Sequence, residues 1–114
     1  MNVTVITTGG TIAKTFNEFD GSLRNDRPVV EGIIATLRLP DITTRFVHVL
    51  NKDSLDMTDA DRRLILSAVR DAAGESDAVV VIHGTDTLSV TGELLCRELD
   101  AKVPVVLTGA MRPY

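Results

Sequence analysis

Four polar clusters, each directly behind a β-branched or aliphatic run, hold the residue types that could do chemistry: TTGGT at 7–11, NKDSLDM at 51–57, HGTDT at 83–87 and TGAMRP at 108–113. In the first, Gly9 and Gly10 permit a tight turn with close backbone approach, so peptide N–H groups can point at a developing negative oxygen. Thr11 follows as a hydroxyl that neither a strand nor a helix pattern requires. In the third, Thr85 and Asp86 offer a hydroxyl and a carboxylate, suited to a ligand ammonium group and to orienting a nucleophile or water. A helix pattern follows at once, so Asp86 or Thr87 also reads as its N-cap. Ser54 lies between Asp53 and Asp56, a turn-forming setting that opens toward the same region. His83 and His48 read as hydrogen-bonded histidines of the strands, and with no Cys or Glu at ligand spacing they give no metal site. A phosphate-binding lysine loop, a dinucleotide G-x-G-x-x-G after the first strand and a G-x-S-x-G elbow are all missing.

These clusters need elements to place them, and the chain alternates strand and helix patterns in the way of βαβ units. Strands are predicted at VTVITT from Val3, ITTRFVHVL from Ile42, AVVVIH from Ala78 and VPVVLTG from Val103. A first helix is expected behind Pro28, with Val29, Val30, Ile33, Ile34 and Leu37 at helical spacing. A second is capped by Thr58 with Asp61 three positions on, carries Leu64, Ile65, Ala68, Val69 and Ala72 as its apolar stripe, and closes at Gly74. A third runs from about Leu88 to Leu99 on Leu88, Leu94, Leu95 and Leu99. The expected fold is a three-layer α/β domain with a parallel sheet of about four strands in the order 2-1-3-4. Ligands of such sheets bind outside the carboxyl ends of the strands, at the switch point. That order makes the first and third strands neighbours and sets Thr11 beside Thr85 and Asp86.

Composition narrows the partners. A chain of 114 residues fits one domain that buries roughly 65% of its unfolded surface. Its net charge of −4 comes without a basic cluster, which argues against nucleic acid and an acidic membrane surface. No apolar run approaches the ~20 residues of a membrane span, and MNVTVITT lacks a secretory pattern. Cys96 is the single cysteine, so no intrachain disulfide forms and a cytoplasmic location is expected; it reads as a small apolar residue on a buried helix face. Neither a cofactor nor a metal is expected. The partner is a small molecule, with self-association of the chain left open.

Four ordered blocks, TTGGTIA (Thr7 to Ala13), KDSLDMT (Lys52 to Thr58), HGTDTL (His83 to Leu88) and VVLTGAMRP (Val105 to Pro113), span nearly the whole chain. Through them the sequence resembles the bacterial L-asparaginase family of threonine amidohydrolases. The resemblance implies hydrolysis of the side-chain amide of asparagine, with glutamine as a second substrate, releasing ammonia. It implies that Thr11 is the nucleophile, that Thr85 and Asp86 are the second threonine and the aspartate of the site, that Ser54 holds the substrate α-carboxylate and Asp86 its α-ammonium, and that Gly10 belongs to the nucleophile loop. Such a site needs a nucleophile, a route for its proton and oxyanion donors.

The sequence departs from the family pattern in three respects. The family pairs its second threonine with a lysine downstream of the AMRP block, and no lysine follows Lys102 here. The segment after GGTIA carries Phe16 and Phe19 where the family has a tyrosine. Residues 1–114 correspond to the amino-terminal domain alone, without the second domain. On this reading the chain by itself turns over asparagine poorly, and the alternative is a non-catalytic amino-acid-binding domain or subunit that keeps the crevice without the relay lysine. An amidotransferase subunit that feeds ammonia to a tRNA-linked substrate shares the nucleophile block, though ordinarily with an added nucleic-acid-binding domain. The polar run from Lys14 to Arg27 has no apolar period and is expected to be the most mobile part, a lid over the site.

Overall fold

The computed structural model describes residues 1–9 and 40–109 in full and, between them, the backbone of 14–16 and 23–25. Four strands, β1 (Asn2–Thr7), β4 (Thr43–His48), β5 (Ala78–Ile82) and β6 (Val105–Thr108), form one sheet. Their order is β4-β1-β5-β6, every pair parallel, which is the expected 2-1-3-4 arrangement. The central strands are VTVI and AVVVI, β-branched on both faces, as a parallel sheet buried on both sides requires. β6 starts at Val105 because Pro104 has no N–H for the ladder. The carbonyl of Pro104 still accepts from Val79 N at 3.0 Å. Lys14–Phe16 (β2) and Leu23–Asn25 (β3) pair antiparallel as a second, two-stranded sheet. The polar composition of 14–27 gave no sign of this pairing. The first predicted helix and the remainder of the expected lid lie outside the described residues.

Helix α1 (Asp59–Ala73) begins at Thr58 with a reciprocal capping box. The Thr58 hydroxyl accepts from Asp61 N at 3.2 Å, and Asp61 Oδ2 accepts from Thr58 N at 3.0 Å. Gly74 is the C-cap, but with φ −75° it stays right-handed rather than adopting the left-handed form usual for such a glycine. The buried stripe of α1 is Asp61, Arg62, Ile65, Leu66, Val69 and Ala72. Leu64, expected inside, is 54% exposed, because a rotation of the stripe by one position puts Leu66 inward. In α2 (Leu88–Glu98) the buried positions are Thr91, Leu94 and Leu95, while Leu88 and Leu99 are half-buried. Cys96 is exposed rather than buried, since it lies one position past that stripe.

Both helices cover one sheet face. Ile65, Leu66 and Val69 of α1 and Leu95 of α2 close on Ile6, Val79 and Val81. Five of these, Ile6, Ile65, Val69, Val79 and Val81, are fully enclosed, and each contributes about 1.5–3 kcal/mol relative to exposure. Val5 and Ile82, with Val3, Phe46 and Val80 around them, form a second cluster on the opposite face. Because the strands are parallel, the loops leaving β1, β4, β5 and β6 all emerge at one edge. No helix among the described residues is long and apolar enough to cross a membrane.

Candidate active site

The loop leaving β1 is stitched to its neighbours on both sides. Thr8 is fully buried, and both its N–H (3.2 Å) and its hydroxyl (2.8 Å) donate to Ile82 O at the end of β5. Its carbonyl accepts from Lys52 N at 3.0 Å, and Thr7 O accepts from Val49 N at 3.0 Å. Gly9 has φ +101°, a conformation open to glycine at little cost. A Cβ there would stand 2.5 Å from Lys52 O and 2.7 Å from Lys52 N. Gly9 thus takes a glycine conformation with the close backbone approach expected of it. Gly10 and Thr11, the next residues, lie outside the described set.

The loop leaving β4 closes in a 3-10 turn, Ser54–Asp56. Ser54 opens that turn, as its setting suggested, and is 2% exposed. Its Oγ accepts from Thr87 N at 3.2 Å, and its carbonyl accepts from the Thr87 hydroxyl at 2.9 Å. Gly84 rests against it, with a Cβ at that position falling 2.9 Å from Ser54 Oγ. Lys52 is turned away from this contact: Nζ donates to Asp61 Oδ2 at 2.9 Å. The Asp61 carboxyl is held below its ordinary range, chiefly by the Thr58 N–H and next by the Lys52 ammonium.

At the end of β5, Thr85 and Asp86 are exposed at the same edge. Gly109, leaving β6, packs on the His83 carbonyl and within Cβ reach, 3.4 Å, of Thr85 Cγ2. Thr87 occupies the N-cap position of α2 as expected, yet its side chain makes no cap hydrogen bond because it is committed to Ser54 O. The structure thus brings Ser54 and the Gly84–Thr87 segment together, with Thr8–Gly9 joined to both strand exits.

His83 fits its reading as a hydrogen-bonded core residue: it is fully buried, with Nδ1 2.6 Å from Gly84 O and Nε2 2.7 Å from Thr91 Oγ. A carbonyl only accepts, so Nδ1 carries the proton. His48 is half-buried at the end of β4, where it hydrogen-bonds the Thr7 hydroxyl and stacks on Phe46 at 6.5 Å. Among the described residues no group of His, Cys, Asp and Glu comes together that could hold a metal ion.

Burial pushes the His83 pKa down, the Arg62 charge adds to that, and the Gly84 bond opposes it. The folded protein therefore refuses a proton that the unfolded chain takes near pH ~6.5. Stability from this source is full above that value and is lost as the pH falls from it toward the folded pKa. Urea midpoints measured at about pH 7.5 and 5.5 should fall on acidification, with a smaller drop in His83→Gln. Equal drops in the two proteins would show that His83 takes up its proton within the fold.

Arg62 was not among the expected site residues, although a periodic signal was present. It lies three positions before Ile65 on the α1 stripe, and a charge at a core position is rare without partners.

An asparaginase amino-terminal domain family matches residues 2–114. The chain is 39% identical over 119 residues to an L-asparaginase of Thermococcus kodakarensis, covering 99% of this chain and 35% of that protein. It is 37% identical over 117 residues to a glutamyl-tRNA(Gln) amidotransferase subunit of Thermoplasma acidophilum, covering 96% of this chain and 27% of that one. The solved structure of the thermostable L-asparaginase from Thermococcus kodakarensis aligns with a TM-score of 0.88 at 34% identity, over 99% of this chain and 35% of its own. The chain thus spans about a third of the length of these relatives, or less.

Proposed function

This chain belongs to the asparaginase family, and on that premise we propose that it is the amino-terminal α/β domain of a threonine amidohydrolase acting on the side-chain amide of L-asparagine, with L-glutamine as a second substrate. Thr11 Oγ attacks the amide carbonyl carbon, its proton passes to the departing nitrogen, the C–N bond breaks and ammonia leaves. Water then hydrolyses the Thr11 ester to give aspartate. Ser54 receives the α-carboxylate, Asp86 the α-ammonium, Gly10 belongs to the loop that presents oxyanion donors, and Thr85 is the second threonine of the reaction. The substrate is a small molecule, and the protein works in the cytoplasm.

One observation carries this reading best. The Ser54 hydroxyl accepts from Thr87 N at 3.2 Å, and among the described residues no acceptor takes its own proton, which can be given to an anionic oxygen. It does so at the amino end of α2, where a carboxylate is favoured electrostatically.

The second reading is a domain that binds an amino acid, or serves an amidotransferase, without hydrolysing asparagine on its own. It is favoured by the likeness to the amidotransferase protein of Thermoplasma acidophilum. Ammonia release and aspartate formation, followed together with asparagine and with glutamine, decide between the two. Equimolar ammonia and aspartate support the hydrolase; aspartate binding without release supports the binding domain; neither would overturn both.

A further inference from the structure

We propose that Arg62 is a positioning residue for this site, holding Ser54 in place through Thr87 and, by a second route, through Thr91, His83 and Gly84; the inference rests on the role given above to Ser54. Arg62 is 8% exposed, and among the described residues its nearest carboxylate contact is a loose one, 3.9 Å, to the fully exposed Asp59. A charge so enclosed is costly unless hydrogen bonds satisfy it. Its guanidinium donates to Met57 O at 3.4 Å, to Thr87 Oγ at 3.0 Å and to Thr91 Oγ at 3.2 Å. The three acceptors lie on the segment after β4, at the start of α2 and inside α2. A planar fork with fixed donor directions can span such a set; a lysine cannot.

The first route works by competition. An N-cap threonine ordinarily turns its hydroxyl onto the amides of its own helix. Thr87 does not, because Ser54 O takes its proton at 2.9 Å while Arg62 Nη2 donates to its oxygen at 3.0 Å. Remove the guanidinium and the hydroxyl is free to rotate onto the helix, releasing the Ser54 carbonyl. The second route starts at Thr91. Arg62 Nε occupies the Thr91 oxygen, so the Thr91 proton goes to His83 Nε2, His83 Nδ1–H goes to Gly84 O, and Gly84 lies against Ser54 Oγ. The first route ends on the Ser54 carbonyl and the second on the Ser54 hydroxyl, the group proposed to bind the substrate carboxylate.

The test is L-aspartate affinity by calorimetry in the protein as encoded, with Arg62→Ala, Thr87→Val and their combination. Each single change is expected to weaken binding about tenfold. The double variant should be no weaker than Arg62→Ala, because that change already breaks the link through Thr87. Millimolar methylguanidinium should restore part of the Arg62→Ala loss, which methylammonium should not. Leu95→Ala, a core change away from the site, should lower the melting temperature and leave affinity unchanged. Affinity within about twofold of the parent in folded Arg62→Ala, or losses that simply add, would overturn the proposal. If Arg62→Ala does not fold, Thr87→Val alone decides. If the parent binds neither aspartate nor asparagine, the function reading has failed, and hydrogen exchange at the Thr87 amide still judges Arg62: faster exchange in the variant with α1 amides unchanged supports the link, and unchanged exchange refutes it.

Discussion

Thr11→Ala is expected to lower ammonia release from asparagine by at least ~10⁴-fold while leaving aspartate affinity nearly unchanged, the pattern of a lost nucleophile. A threonine hydroxyl makes covalent chemistry possible only with a base to take its proton and donors to hold the oxyanion, so deleting the oxygen removes the step on which both act. Thr11→Ser keeps that oxygen and should retain measurable turnover. The comparison also separates the two threonines. If Thr85 were the attacking group instead, Thr85→Ala would abolish acyl-enzyme formation, and a covalent aspartyl adduct trapped by acid quench would map to the peptide containing Thr85. An adduct on the peptide containing Thr11 is the expected result. Activity of Thr11→Ala above about 1% of the parent would remove Thr11 from the nucleophile's role.

The sheet was legible because its strands are β-branched runs ended by turn residues, and because parallel pairing puts all their exits on one edge. That is enough to predict which loops meet. How they meet was not legible. The Ser54–Thr87 link joins residues 33 positions apart, and no local pattern encodes it; Thr87 even resembles an ordinary cap. The same holds within the helices. Ile65, Val69 and Ala72 announced the face of α1, yet the stripe includes Leu66 rather than Leu64, since a helical period fixes a face only to within one position. Arg62 and Thr91 are buried polar positions at the amino-terminal ends of their two stripes. Polar residues at both places mark where the apolar core gives way to the hydrogen-bonded floor of the loops, a signal visible only once α1 and α2 are known to be neighbours.

Gly9→Ala should destabilise the fold by about 3 kcal/mol or more, a large effect for removing no contact at all. Two costs act together. At φ +101° a side chain meets its own backbone, which costs about 1–3 kcal/mol. The new methyl would also fall 2.5 Å from Lys52 O and 2.7 Å from Lys52 N, and overpacking of this kind costs about 1–3 kcal/mol. Backbone atoms cannot swing aside as a flexible side chain can. Lys52 is further fixed by the bond from its N–H to Thr8 O, 3.0 Å, and by its ammonium on Asp61, 2.9 Å. Relief therefore has to come from the β1 loop itself, with Thr8 and Gly9 drawn away from the β4 exit. Gly74→Ala is the control. Its φ is −75° and the nearest atom to an added Cβ is 3.5 Å away, so alanine there should stabilise by about 0.4–1 kcal/mol through the unfolded chain. Urea unfolding of the two variants should move the midpoints in opposite directions. Equal small shifts would mean that the β1 loop yields to a side chain at Gly9, and the close approach to Lys52 would then play no part in holding that loop.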